Sequence, residues 1–454
     1  MKKNPVLALA QAKAKAKTKD KSKESAKAGD AKKKKSAREG RTEIYSRIRV
    51  KEEEKLLDFF EKAFNLRTIN ELIEYKERES PDNYLPFYMR GYYLPIYDSF
   101  GGKIHDVCRT AAAKLGFGEK EIEFYVANDS EFNGSSIHAD LDEKAHIIII
   151  NRGLLERVSI DELAFVMGHE IGHLIYYHSY VTKVLQFIYP QYEHLPPVIQ
   201  KLYDVWSKLG EISADRIGLL ACGDIEKSVR ALFKLSSGLD DSQFNLTFDN
   251  LIRIADKTYA EMKDFPSYVS ASHPANPVRI KALLEFHKSS LFRDLAKGRT
   301  PRNDRKFEHR MDEVLSLIKK TPLDEQEKVE LEFMAAAGVI LMTADGEVVE
   351  LEYHYLINML ARYIHWPPTY LDGLDPDKLY DIMKANARII LEKFPHRTRE
   401  LIRHLFPILT RDRKLKDEEM QAFMKIATEE LQIPVSEVID VVLSGLGELY
   451  QPYS

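Results

Sequence analysis

The sequence predicts a mixed α+β domain, with helices around a small sheet, followed by an all-α C-terminal domain, so the chain should be mostly helical overall. Apolar residues recur at helical spacing in most segments, whereas only "EIEFYVAND" and "AHIIIIN" show clear strand character. With 454 residues, 44% of them hydrophobic, the chain is long enough for two or three domains.

Composition divides the chain into four parts. Residues 1–42 form a Lys/Ala-rich tail, and residues 43–285 hold the mixed domain behind an N-terminal helical extension. Residues 286–324 are charged and poorly patterned, as a linker would be. Residues 325–454 form the helical domain.

The tail carries 15 Lys and Arg against 4 Asp and Glu, a net charge of about +11 in a chain whose total is −4. Residues 11–41 of the tail lack core-forming residues, which predicts disorder. Weak contact with nucleic acid or an anionic membrane surface is one interpretation. Because the tail has no aromatic residues for base stacking, a solvated tail is the favoured one.

The segment "DELAFVMGHEIGHLIYYH" starts at residue 161 and predicts a buried helix. Ser159 and Glu162 have the spacing of a capping box at its start. Within it, His169 and His173 are four residues apart, which puts both imidazoles on one face about 6 Å apart along the axis. Together with Glu170 they form the HExxH zinc signature, in which the glutamate takes a proton from a bound water.

A chance HExxH has odds of roughly a few per cent in a chain of this length with 14 histidines. A zinc ion also needs a third protein ligand. In "KLGEISADRIGLLA", Glu211 can supply it, and Asp215, four residues later, can hold a ligand histidine by its other ring nitrogen. Taken alone, this pair is about as compatible with an ordinary charged helix face.

A third motif is "SASHPANPVRIKALL", which contains His273 and Arg279. The histidine could place a hydrogen-bond donor, and the arginine a cation, near the same site. In isolation, a loop histidine and a surface arginine are the simpler interpretation.

Taken in order, "GLLERVSIDELAFVMGHEIGH", "EISADRIG" and "SHPANPVRIKAL" resemble the gluzincin metallopeptidases of the CAAX prenyl protease and HtpX type, over about residues 100–285. The resemblance implies a zincin-type catalytic domain that binds one Zn²⁺ per chain through His169, His173 and Glu211. Of the remaining motif residues, it implies catalytic roles for Glu170 and His273, with Asp215 and Arg279 behind the ligands. Asn133 is in a place comparable to the family's Asn-Ala-Phe substrate element.

The C-terminal part contains an internal repeat. "MAAAGVILMTADGEVVELEYHYLINML" aligns with "LFPILTRDRKLKDEEMQAFMKIA", with Asp345 against Asp412 and Glu352 against Glu419. This pattern resembles the TerB-like helical domain over about residues 325–448. Two interpretations fit this pattern about equally well: a module that binds a protein partner or senses a signal, and a purely structural helical bundle.

These observations predict a soluble zinc metalloendopeptidase that hydrolyses peptide bonds in a peptide or protein substrate. A sheet edge beside the metal helix would bind the substrate as an extended strand. Two alternatives are a zinc-binding but proteolytically silent scaffold and a factor that acts on nucleic acid or membrane surfaces through the basic tail. The chain has only two cysteines, which is typical of a reducing compartment. No stretch reaches the roughly 18 apolar residues that are needed to span a membrane. Both observations favour the cytoplasm.

Overall fold

The computed structural model describes residues 44–79, 89, 91–138, 145–191, 194–239, 247–264, 273–299, 304–319 and 323–449. The basic tail therefore lies outside the described residues. The described part is mostly helical with one small mixed sheet, as the sequence predicts.

The first part of the chain contains most of the elements that surround the candidate site. Its helices are α1 Lys51–Phe64, α2 Leu66–Glu79, α3 Asp98–Lys114, α4 Arg152–Leu155, α5 Ile160–Ile175, α6 His178–Ile188, α7 Pro197–Cys222, α8 Ile225–Ser237, α9 Phe248–Asp264 and α10 Asn276–Lys288. Its strands are β1 Leu94–Pro95, β2 Ile122–Ala127, β3 Gly134–Ile137 and β4 His146–Asn151.

The four strands form one sheet in the order β1-β2-β4-β3. Strands β2 and β4 are parallel, with Phe124 opposite Ile148, while β3 runs antiparallel to β4 and forms an edge of the sheet. Alternate isoleucines of β4 face opposite sides, so Ile148 and Ile150 join the main core and Ile147 and Ile149 join a smaller cluster. The sheet places β3 against α5, the helix of the HExxH motif.

Residues 286–324 differ from the expected unpatterned linker. They include the end of α10 and two further helices, α11 Ser290–Ala296 and α12 Arg305–Lys319. Apolar side chains at helical spacing along α12, from Phe307 to Ile318, pack into the same core as the candidate site helices. Because many charged residues surround these apolar side chains, the composition of the segment predicted a linker instead of a packed helix.

The remaining helices build a second, separate core. They are α13 Glu325–Met342, α14 Glu350–Leu360, α15 Pro367–Asp372, α16 Leu379–Lys393, α17 Thr398–Leu405, α18 Asp417–Lys425 and α19 Val435–Leu449, with 3-10 turns at Pro376–Lys378, Pro395–Arg397 and Phe406–Thr410 and a π-helical turn at Ile426–Glu430. Within the described residues 323–449, the regular elements are all helical.

No helix in the described ranges combines the length and the apolar character needed to cross a lipid bilayer.

Candidate metal centre

Helix α5 begins with the predicted capping box. Ser159 Oγ accepts a hydrogen bond from the Glu162 backbone N–H, and the Glu162 carboxylate accepts one from the Ser159 N–H at 2.7 Å. The buried Lys234 ammonium also donates to Glu162, at 3.0 Å, so this carboxylate is paired in a nearly dry environment. These contacts fix the start of the helix, and the HExxH motif lies two to three turns further along.

Helix α7 approaches α5 closely enough to bring a second set of side chains to the motif. Small residues meet at the crossing: a Cβ on Gly168 would lie 2.9 Å from the Gly218 Cα, and one on Gly172 would lie 2.9 Å from the Ala214 Cα. Only glycine allows this separation, since real Cβ atoms essentially never come so close. The close crossing places Glu211 opposite the two histidines.

Three ligand-type atoms converge at this crossing. His169 Nε2 lies 3.0 Å from His173 Nε2, and the Glu211 carboxylate oxygens lie 3.5 and 3.4 Å from these two nitrogens. Among the described residues, this trio is the one group of three or more His, Cys, Asp or Glu side chains whose ligand atoms are close enough to hold a metal ion together. Two imidazoles and a carboxylate suit a zinc-type ion, with space left for a water.

Asp215 and Arg279 support this trio from behind. His169 Nδ1 donates to Asp215 at 3.0 Å, which leaves the Nε2 lone pair directed at His173 and Glu211. Arg279 donates to both Asp215 oxygens, at 2.8 and 2.7 Å, and its third nitrogen lies 3.2 Å from Glu211. Burial opposes ionisation of Glu211, yet the charges of Arg279 and the histidines hold its pKa well below the usual range.

The guanidinium of Arg279 is thus paired with both carboxylates, and the side chain is nearly buried. This geometry assigns it a positioning contact with Glu211 and Asp215. It does not place the guanidinium in the open part of the cleft, where direct contact with substrate would occur.

Glu170 lies beside the trio and faces the edge strand β3. A Cβ on Gly134 would lie 3.3 Å from its Oε1, so the missing side chain leaves room for the carboxylate. Burial raises the pKa of Glu170 to about 7, with Glu211 adding to the effect, while His169 and a hydrogen bond with Ser136 oppose it. A carboxylate tuned towards neutral pH is suited to accept and return a proton.

The trio and Glu170 line a cleft of about 400 Å³. Asn133 and β3 line one wall, and His273 lies at the rim with a side chain that is 62% exposed. The His273 Nε2 is 3.7 Å from Glu211, so this histidine lies beside the trio. The cleft thus lies between the trio and the edge strand of the sheet.

Sequence reasoning missed two residues of the site, His178 and Glu53. His178 Nδ1 lies 2.7 Å from His173 Nδ1, and its Nε2 lies 2.8 Å from Glu53 Oε1. The extra histidine just after HExxH was visible in the sequence. Glu53 stands among other glutamates in "KEEEK", and the one available signal was its helical spacing from Leu56 and Phe60, which puts it on the apolar face of the helix.

An HExxH helix, a glutamate from a second helix and an aspartate behind the first histidine together form a donor set that suits a catalytic zinc ion. Residues 101–287 match the family model for peptidase family M48.

Among curated proteins, the chain is similar to the plastoglobule-localized metallopeptidase 48, chloroplastic, of Arabidopsis thaliana, with 24% identity over 169 residues. The alignment covers 34% of this chain and 49% of the relative, so the chain spans about half the length of the curated relative it matches. No solved structure shows a significant match.

The repeated acidic residues of the C-terminal part also meet in space. Glu352 is 1% exposed, and the charges of Glu419, Asp412 and Asp345 act on it. Lys416 forms an ion pair with Asp345 at the edge of this cluster. The family match ends before this region, so its TerB-like character stays a prediction.

Proposed function

We propose that the chain is a zinc-dependent endopeptidase that hydrolyses peptide bonds, with His169, His173 and Glu211 as the zinc ligands. The observation that carries this proposal is the convergence of three ligand atoms beside Glu170 at the base of an open cleft. A zinc ion held there would polarise the scissile carbonyl and lower the pKa of a bound water.

Glu170 is the proposed general base. Its carboxylate accepts a proton from the attacking water and passes a proton to the amine that leaves when the peptide bond breaks. Burial and the nearby Glu211 raise its pKa towards neutrality, which favours both transfers. The room left by Gly134 allows Glu170 to stand directly beside the strand along which a substrate would lie.

The edge strand β3 and Asn133 are the proposed substrate-binding wall. An extended peptide can add to a free strand edge through main-chain hydrogen bonds, so a peptide or protein substrate suits this site without a strict sequence requirement. His273 at the rim is the proposed donor to the oxyanion that develops on the scissile carbonyl oxygen.

The alternatives predict different observations. A proteolytically silent scaffold would show a blocked or misshapen cleft, whereas this cleft is open. A partner-binding role for the TerB-like region, a weak anionic contact through the tail and a cytoplasmic location are further proposals that leave the catalytic one unchanged.

The test is metal analysis of the purified chain combined with digestion of an unfolded protein such as casein. We expect about one zinc per chain, loss of cleavage after chelation, and its return when zinc is added back. A fully zinc-loaded chain that cleaves no unfolded protein would favour the scaffold instead.

A further inference from the structure

The ring of His178 bridges the metal centre to the N-terminal helix α1. It stands at the start of α6, and its Nδ1 lies 2.7 Å from the Nδ1 of His173, the nitrogen that faces away from Glu211. Its Nε2 lies 2.8 Å from Oε1 of Glu53, which is 125 residues earlier in the chain. One imidazole therefore connects a metal-facing histidine to a carboxylate on another helix.

Glu53 is fully buried and paired on every side. Arg49 donates to Oε1 through its Nε at 2.8 Å, and the Ser213 hydroxyl, on α7, donates to Oε2. Burial alone would raise the pKa of Glu53, but the contacts with His178 and Arg49 hold it below its usual range, so the carboxylate is an anion at neutral pH. An anion so deep in the protein is stable because these donors surround it.

The hydrogen-bond chain admits a consistent set of proton positions. When His173 Nε2 offers its lone pair to a metal, its proton is on Nδ1 and is donated to His178 Nδ1. His178 then carries its own proton on Nε2 and donates it to Glu53. Each bond has one donor and one acceptor, and no charged imidazole is needed.

The space for His178 is also specific. A Cβ on Gly210 would lie 3.1 Å from its ring atoms, and the indole of Trp206 packs edge-on against the ring at 5.4 Å between centroids. The ring is thus confined by α7 on one side and held by Glu53 on the other. These contacts fix the orientation of the His178 ring, as expected for a group that orients a metal ligand.

We propose that Glu53, acting through His178, positions His173 for metal binding. Helix α1 thereby contributes a positioning residue to the metal centre. The arrangement parallels the support that Asp215 and Arg279 give His169 on the opposite side. Glu53 and Arg49 precede the residues that match the peptidase family, so this support comes from outside the matched region. The inference rests on the proposed zinc site.

The test compares zinc affinity in Glu53→Gln, Gly210→Ala and Leu56→Ala by competition with a chromophoric chelator. Glu53→Gln keeps the size of the side chain and removes the anion, so we expect zinc binding about 10- to 100-fold weaker. Gly210→Ala should weaken zinc in the same direction by displacing His178, without touching Glu53. Leu56 is buried on α1, and Leu56→Ala serves as the control because it loosens the helix but leaves the hydrogen-bond chain intact.

Thermal unfolding midpoints and the visible spectrum of the cobalt-substituted protein accompany each titration. We expect Glu53→Gln and Gly210→Ala to change the cobalt spectrum. We expect Leu56→Ala to lower the Tm and to leave the spectrum and the zinc affinity unchanged. Parent-like zinc affinity in a folded Glu53→Gln, or equal weakening in Leu56→Ala, would overturn it. If the parent itself bound no zinc, the proposed function would fail together with this inference; tight zinc in both parent and Glu53→Gln would remove the inference alone.

Discussion

At the scale of single residues, both metal-facing histidines have their second ring nitrogen engaged by a buried partner. His169 donates to Asp215, and His173 contacts His178. The partner Asp215 was foreseeable because it follows Glu211 by one helical turn. The partner His178 was not, because its role depends on a carboxylate far away in the sequence, and helical spacing carries no information on that distance.

Asp215→Asn tests the support of His169. The amide keeps the shape but cannot stay an anion between Arg279 and the imidazole, so we expect a loss of roughly 10- to 100-fold in zinc affinity or turnover. Competition with a chelator measures the affinity. Asp204→Asn, three turns earlier on α7, is the matched control, and an equal loss there would show that the effect is not specific to the site.

At the scale of elements, the site depends on how closely α5 and α7 cross. Capping signals and apolar spacing in the sequence predicted the helix at α5, and the structure confirms its capping box. The close crossing through Gly168, Gly172 and Gly218 was not predicted, because a glycine in a helical pattern is a weak signal until its neighbour is known.

Gly168→Ala tests the crossing. The new methyl group would press on Gly218 and Ala221, so we expect the free energy of unfolding to fall by about 1–3 kcal/mol and zinc affinity to fall with it as Glu211 moves away. Gly447→Ala, on a helical position with open space around it, is the control and should be neutral or slightly stabilising. Denaturant unfolding with and without zinc measures both. Parent-like stability and zinc affinity in Gly168→Ala would contradict the packing argument.

The acidic cluster of the C-terminal helices predicts a pH dependence. Burial, with the charges of Glu419, Asp412 and Asp345, raises the pKa of Glu352 to about 7. Between the ordinary glutamate pKa and about 7, the folded chain holds a proton that the unfolded chain has released, so the stability contributed by this group falls as pH rises through that window.

Glu352→Gln should therefore stabilise the C-terminal region by about 1–3 kcal/mol at pH 8, with the difference from the parent shrinking below pH 5. Glu350→Gln, at the exposed start of the same helix, controls for the loss of a negative charge near the helix N-terminus. Unfolding curves at several pH values measure the difference. A constant difference across this range would contradict the assignment.

At the scale of the whole molecule, the described residues contain two large cores besides the small cluster on one side of the sheet. The first extends from Ile48 to Ile318 and the second from Val329 to Val441. Sequence composition assigned residues 286–324 to a linker, because the charges around α12 conceal the apolar face that packs on the first core. The boundary at residue 325 itself stays a prediction.

Removal of residues 320–454 tests this division. All proposed zinc ligands and their partners lie on helices that contribute to the first core, so we expect the shortened chain to fold and to keep about one zinc per chain. Some loss of stability is expected, because Trp366 packs against the first core and helix α14 contacts α7. Metal analysis and thermal unfolding of the shortened chain are the measurements. A folded product without zinc would contradict the scheme.

Glu170 is the proposed proton-transfer group beside a zinc ion that it does not bind. The most direct measurement is the zinc content and the rate of casein cleavage of Glu170→Gln in the same preparation, beside the parent and Glu211→Gln. We expect Glu170→Gln to keep about one zinc per chain while turnover falls on the order of 100- to 10,000-fold, and Glu211→Gln to lose zinc. Near-normal cleavage by Glu170→Gln would contradict the account.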